Sequence, residues 1–248
     1  MRLQGKVAIV TGGGGGFGEG IARLYAAQGA KVVVTDIRHN AAMRVAHEIG
    51  GVAVEGDVSL GPDVQNMVDT AVSEFGGLDI VVNNAGTTHR NGPILEVDEE
   101  SFDRVYAVNV KSIYWMAQAC VPVLRRQGRG GAIVNISSTA GIRPRPGLVW
   151  YNGSKGAVNI ITQCMATELA HDNIRVNAIC PVIGATGLLE SFMGLEDTPE
   201  SRAKFIASVP LGRMSTPMDI ANACVFLAED ASSFLTGVLL PVDGGRCA

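Results

Sequence analysis

Val7-Ala8-Ile9-Val10-Thr11-Gly12-Gly13-Gly14-Gly15-Gly16-Phe17-Gly18-Glu19 is the stretch from which the fold is read. Its first five residues form a short run of apolar and β-branched residues, the mark of a buried strand. The glycines then break the pattern, and beyond Phe17 the apolar spacing becomes helical to about residue 28. Strand, glycine turn and helix in immediate succession form the first half of a βαβ unit. Outward from there the same alternation continues. Strands are predicted at 6–11, 31–35, 52–55, 78–83, 131–136, 174–180 and 238–242, and helices at 17–28, 40–49, 62–75, 99–127, 150–171 and 217–228. Val32-Val33-Val34 and Ile80-Val81-Val82 are continuous apolar runs, as expected of strands covered on both faces. The expectation is an α/β chain with a doubly wound, mainly parallel seven-stranded sheet and helices on both faces. No linker, repeat or low-complexity segment divides residues 1–248, so one domain is expected.

Composition narrows the function. Hydrophobic residues make up 47% and charged residues 18%, a balance that supports a packed core rather than disorder. A net charge of −4 gives no basic face for nucleic acid. Apolar runs are too short to span a bilayer, and Met1–Lys6 lacks the apolar core of a secretion signal. The cysteines Cys120, Cys164, Cys180, Cys224 and Cys247 show no CxxC spacing, and the histidines show no HExxH pattern. Reduced thiols, a cytoplasmic location and no metal are therefore expected.

A glycine loop between strand and helix lets backbone N–H groups approach a pyrophosphate at the positive end of the helix. Gly12, Gly15, Gly16, Phe17 and Gly18 are the candidate residues. Asp36 ends the second strand at the spacing of the acidic residue that accepts both hydroxyls of an adenosine ribose. A carboxylate there repels a 2′-phosphate, so NAD is expected over NADP, with Arg38 the nearest offsetting charge.

With these motifs in place, the chain resembles the short-chain dehydrogenase/reductase family over essentially its whole length. Thr11-Gly12-x-x-x-Gly16-x-Gly18 resembles the family's cofactor loop, and Asp57-Val58 its adenine-contacting pair. Asn83-Asn84-Ala85-Gly86 is similar to the family's motif after the fourth strand. Tyr151-Asn152-Gly153-Ser154-Lys155 is similar to its YxxxK signature, with Ser138 and Asn109 in matching order. The resemblance implies a single-domain Rossmann fold in which Tyr151 is the general base or acid and Ser138 polarises the substrate oxygen. It further implies that Lys155 lowers the tyrosine pKa and holds the nicotinamide ribose, while Asn109 steadies a proton-relay water. Physical chemistry supports the pairing. Residues four apart share a helix face, and moving a phenol from about 10 to about 7 takes roughly 4 kcal/mol. An ammonium at about 4 Å supplies attraction of that order at an effective dielectric near 20.

The chain departs from the family pattern after the sixth strand. There, Pro-Gly with a following aliphatic residue and threonine holds the nicotinamide carboxamide. Here the run is Cys180-Pro181-Val182-Ile183-Gly184-Ala185-Thr186: Val182 stands for the glycine and Gly184 for the aliphatic residue. Pro181, Ile183 and Thr186 are the expected contacts. Phe17 stands for the more usual isoleucine. Residues 187–208 are expected to fold over the substrate as a lid, with Leu188 and Phe192 facing it. Arg143 and Arg145 are candidates for an acidic substrate group, and His89 for the rim.

These expectations describe a secondary alcohol dehydrogenase acting with NAD on a hydrophobic or aromatic alcohol. A 3-oxoacyl-thioester reductase shares the tetrad, but Asp36 speaks against its usual NADPH. In an enoyl reductase the tyrosine–lysine spacing is wider, and Val158 occupies the place of its lysine. A non-catalytic NAD sensor would be expected to have lost part of the tetrad. Apolar residues on more than one face of 99–127 and 150–171 suggest subunit burial, and the resemblance implies a homotetramer.

Overall fold

The computed structural model describes every residue except Ala185, which lies in the departing loop. Seven parallel strands form one sheet in the order β3-β2-β1-β4-β5-β6-β7. They are β1 (Val7–Thr11), β2 (Lys31–Asp36), β3 (Val52–Glu55), β4 (Ile80–Asn83), β5 (Gly131–Ile136), β6 (Ile174–Pro181) and β7 (Leu239–Val242). Helices α1 (Gly16–Ala27), α2 (His39–Ile49) and α3 (Gly61–Phe75) follow the first three strands. After β4 come α4 (Glu99–Tyr106) and α5 (Ser112–Gln127), and α6 (Val149–Leu169) links β5 to β6. Between β6 and β7 lie α7 (Leu189–Met193), α8 (Pro199–Ile206) and α9 (Pro217–Ala228).

The strands feed two cores by simple alternation. Ala8, Val10, Val32, Val34, Ile80 and Val82 pack with Ile21, Tyr25 and Ile220 from α1 and α9. Their neighbours Ile9, Val33 and Val81 face Met67, Met116 and Leu124 of α3 and α5. Strands buried on both faces explain the unbroken apolar runs. Winding begins at β1, moves outward to β3, then returns across to β4. The carboxyl ends of β1 and β4 therefore flank a switch point, where open α/β sheets bind ligands.

One expectation needs correction. The helix expected over 99–127 is interrupted by a wide π-turn at Ala107–Lys111, which splits it into α4 and α5. Residues 187–208, expected as the lid, carry α7 and α8, with Leu189 and Met193 buried against Val182, Ile183 and Val209. Among the described residues, no helix is long and apolar enough to cross a membrane.

Candidate active site

An open cleft of about 960 Å³ lies over the carboxyl ends of the strands, within the size range of small-molecule sites. At its floor, Gly12 (φ 62°) and Gly16 (φ 54°) adopt left-handed backbone that a side chain would strain. The N-terminus of α1 begins at Gly15 with no side-chain cap, so its free N–H groups face the cleft. Asn84 secures the turn by donating from Nδ2 to the carbonyls of Thr11 (2.8 Å) and Gly12 (3.2 Å). Thr11 Oγ1 accepts from the N–H groups of Asn84 and Ala85, both at 3.0 Å. These bonds tie the ends of β1 and β4 together under the cleft.

Asp36 is buried and oriented by two backbone donors: Gly14 N–H to Oδ2 (3.1 Å) and Arg38 N–H to Oδ1 (3.0 Å). Arg38 itself is 71% exposed, and its Nε lies 3.4 Å from Asp36, a weak surface pairing. Behind Gly14, Arg44 donates to the Gly14 carbonyl (3.2 Å) and to Glu19. Arg44 and Arg23 hold the Glu19 carboxyl down at about 2. Arg44 carried no sequence signal, since its partners lie 25 and 30 residues away.

At the other end, Tyr151 is buried among Ala140, Leu148 and Phe192. The Phe192 ring meets it edge to face, with centroids 5.6 Å apart. Lys155 Nζ donates to the Ile136 carbonyl at the end of β5 (2.9 Å) and lies 5.9 Å from the centre of the Tyr151 ring. Ser137 Oγ donates to the Lys155 carbonyl (3.1 Å), so the strand end grips this turn of α6 from both sides. A buried chain from Asn83 to Asn135 to Thr162 fastens β4, β5 and α6 to one another. Ser138 lines the cleft, and its Oγ accepts from the Ala140 N–H (3.1 Å).

The expected electrostatics are revised by burial. Desolvation pushes the Tyr151 phenol above its ordinary value, with the Ser138 hydrogen bond pulling the other way. Desolvation also lowers the Lys155 ammonium to about 8. The structure therefore does not show a tyrosine already activated by its lysine. By itself the protein favours a neutral phenol beside a destabilised cation.

That arrangement has a measurable consequence. Between pH 8 and about 10.5 the unfolded chain holds the Lys155 proton while the folded chain has released it, so this group makes stability rise with pH. Below pH 8 its buried charge costs about 3 kcal/mol. Lys155→Met is expected to raise the melting temperature of the ligand-free protein at pH 7 and to flatten its pH dependence between 8 and 10. Calorimetry across that range checks both, and a lower melting temperature at every pH would contradict the assignment.

The cleft gathers most of the residues expected from sequence. Gly12, Gly15, Gly16, Phe17, Asp36, Asp57, Val58, Asn84, Ala85 and Gly86 line one part. Ser138, Tyr151, Lys155, Pro181, Ile183, Thr186, Leu188 and Phe192 line the rest. Thr87, Val108 and Ser137 line it too, without having been singled out.

Five expected residues do not line the cleft. Gly18 sits behind the loop, where a Cβ would come 2.1 Å from the Gly12 carbonyl oxygen; its role is close packing of helix on turn. Asn109 lies under the loop. Its Nδ2 donates to the Thr87 carbonyl (2.9 Å) and Ser154 Oγ (3.0 Å), and its Oδ1 accepts from the Thr87 N–H. That amide joins the Gly86–Thr87 turn to α6, so the side chain acts as a clamp between them. Arg143 and Arg145 are turned away by the tight turn at Thr139–Gly141, which the Arg143 N–H closes onto the Thr139 carbonyl. Arg143 then donates to the Arg246 carbonyl, while Arg145 stacks on Phe205 and donates to Ser208. His89 is buried and does not line the cleft.

The comparisons agree with this geometry. A family model described as enoyl-(acyl carrier protein) reductase matches residues 13–246. The chain is 52% identical over 253 residues to 4-formylbenzenesulfonate dehydrogenase of Comamonas testosteroni, with 99% of each covered. It is 38% identical to 7alpha-hydroxysteroid dehydrogenase of Escherichia coli, covering 99% of this chain and 95% of that one. A 3-ketoacyl-(acyl-carrier-protein) reductase from Brucella melitensis, solved with NADH, superposes with a TM-score of 0.94 at 45% identity, covering 99% of this chain and all of that one. The chain belongs to the short-chain dehydrogenase/reductase family and is an NAD(P)-dependent oxidoreductase acting on CH–OH groups.

Proposed function

We propose that the protein interconverts a hydrophobic or aromatic secondary alcohol and its ketone with NAD, Tyr151 acting as general base and acid. The observation that carries this reading is the position of the Tyr151 phenol. It is buried at the end of a glycine-floored cleft, beside Ser138, beneath the Phe192 ring. The bound nicotinamide supplies hydride acceptance and donation. Ser138 donates to the substrate oxygen and stabilises its charge. Tyr151 takes the hydroxyl proton in oxidation and returns it in reduction, with Lys155 offsetting the phenolate. Asn109 keeps α6 in register with the Gly86–Thr87 turn. Phe192, Leu188 and Ile183 exclude water and favour an apolar body. The aromatic aldehyde and steroid in the names of two relatives accord with such a pocket. Purified protein with NAD and a panel of aryl and alkyl secondary alcohols tests the assignment: turnover of aryl members is expected, and none across the panel would end it.

The cradle fits a dinucleotide because at Gly15 and Gly16 no protein atom comes closer than 3.4 Å to the place of a side chain, whereas at Gly12 and Gly14 that place is taken by Ala85 and Ala41, which lets the turn pack tightly beneath the ligand. Asp36 assigns the preference within that cradle. Two backbone bonds aim it, and only an exposed arginine offsets it. Asp36→Ser is expected to raise the NADP-to-NAD ratio of kcat/KM at least about fivefold, since removing one like-charge contact is worth about 1 to 4 kcal/mol at 4 Å. Cofactor titration of both proteins measures this, and a wild type already preferring NADP would reverse the ranking.

A second enzymatic reading, a 3-oxoacyl-thioester reductase, is favoured by the Brucella neighbour and by a 36%-identical relative of that name from Thermotoga maritima. The Brucella protein was solved with NADH, so the acyl group rather than the cofactor must separate the readings. Faster reduction of a 3-oxoacyl thioester than of aryl ketones would select it. The four-residue spacing from Tyr151 to Lys155 keeps the chain apart from enoyl reduction. The intact tetrad weighs against a sensor.

We also propose a homotetramer in the cytoplasm. Tyr114 of α5 and Ile160 of α6 are exposed apolar residues on the two helices, and Phe226 and Phe234 flank the β7 side. Light scattering is expected to give four chains, and a monomer would refute it.

A further inference from the structure

The departing loop and the glycine turn meet at one point. A Cβ on Gly184 would lie 2.5 Å from Phe17 Cζ, 2.8 Å from Phe17 Cε1 and 3.0 Å from Ser215 Oγ. The ring of Phe17 thus fills the volume a side chain at 184 would need. The two departures from the family pattern, phenylalanine at 17 and glycine at 184, are a single exchange of volume across 167 residues of sequence. Gly184 has no positive φ, so backbone freedom is not what demands a glycine; the aromatic ring is. Val182 also has ordinary φ and is buried against Leu189, Met193 and Val209, so the proline-glycine turn of the pattern is not needed either.

The contact sits at the root of the lid. Ser215 pins the other side of Gly184, its N–H donating to the Ile183 carbonyl (3.1 Å) and its Oγ to the Val182 carbonyl (3.1 Å). Two residues on, Thr186 passes over Gly16, whose virtual Cβ lies 3.4 Å from Thr186 Cγ2. The Thr186 carbonyl accepts from the Leu189 N–H, starting α7. That helix carries Phe192 onto Tyr151. The glycine turn thus meets Phe17 and Gly184 on one side and Thr186 on the other, and α7 begins from Thr186 to carry the ring above the phenol.

We propose that Phe17 is a positioning residue, matched to Gly184, that sets Gly184 against the glycine turn and thereby places the lid helix α7 over the active site. The proposal rests on the cofactor and lid reading above only for its functional consequence; the matched volumes stand without it.

A double-mutant cycle tests it. Gly184→Ile is expected to lower the melting temperature and weaken NAD binding by about tenfold. Adding Phe17→Ile should recover most of both losses, a coupling within the range seen for residues in contact. Phe17→Ile alone should weaken NAD binding less than Gly184→Ile does. It should raise the KM for the alcohol more than it lowers kcat, because it loosens the lid without touching the tetrad. Melting temperatures of the ligand-free proteins and calorimetric NAD affinities are read separately. If wild type binds neither NAD nor NADP, the functional reading falls, while the melting cycle still decides the coupling. Additive losses, or wild-type behaviour of Gly184→Ile, would overturn the proposal. Should the isoleucine at 184 prevent folding, Gly184→Ala with Phe17→Leu repeats the cycle with smaller volumes and the same criteria.

Discussion

Tyr151→Phe is expected to lower turnover by about 10²- to 10⁴-fold, the usual worth of a positioned acid–base group, while leaving the fold and NAD affinity intact. The ring packs against Ala140, Leu148 and Phe192, and phenylalanine keeps all of those contacts. What disappears is the hydroxyl proposed to exchange a proton with the substrate, which also bonds Ser138. Burial already holds that hydroxyl neutral, so the wild-type oxidation rate should climb with pH as the phenol ionises in the NAD complex. The residual rate of the variant should lack this rise. Steady-state kinetics from pH 6 to 10, with calorimetric NAD binding at each end, separate the two effects. An equal loss of NAD affinity and turnover would reassign the phenol to cofactor binding.

Gly18→Ala should be damaging in a different way. The added methyl would sit 2.1 Å from the Gly12 carbonyl oxygen and 2.5 Å from Asn84 Nδ2. The first of these is backbone at the floor of the cleft, so relief requires α1 to retreat from the turn it packs on. Overpacking of this kind costs about 1 to 3 kcal/mol or more. In a domain of this size that corresponds to a fall of about 2 to 12 °C in melting temperature. Because the same shift moves the free N–H groups of α1, NAD affinity should fall about a hundredfold. The experiment is a thermal melt with and without NAD. An unchanged melt with normal ligand stabilisation would show that the turn has slack the packing denies.

Much of this was legible in the sequence because strands buried on both faces leave continuous apolar runs, as at Val32–Val34 and Ile80–Val82. What escaped has physical reasons. The π-turn at Ala107–Lys111 inserts a register shift into a helix whose flanks keep ordinary periodicity, and periodicity alone passes over it. Helices α7 and α8 are five and eight residues long, too short to establish a period. Arg143 and Arg145 are close to Ser138 along the chain, yet one tight turn faces them toward the tail and Phe205. The contacts of the Asn109 amide with Thr87 and Ser154 join residues 22 and 45 positions away, which sequence order does not show. Phe17 and Gly184 read as unrelated oddities until a virtual Cβ brought them together.

The most direct test of the central claim is anaerobic mixing of the protein with NAD and a responsive aryl secondary alcohol, following reduced nicotinamide in a single turnover. The account predicts rapid, stoichiometric reduction by the wild type and a rate about 10²- to 10⁴-fold slower in Tyr151→Phe, with NAD equally bound in both. Wild-type speed in the variant would contradict the assignment of Tyr151 as the group that takes the proton.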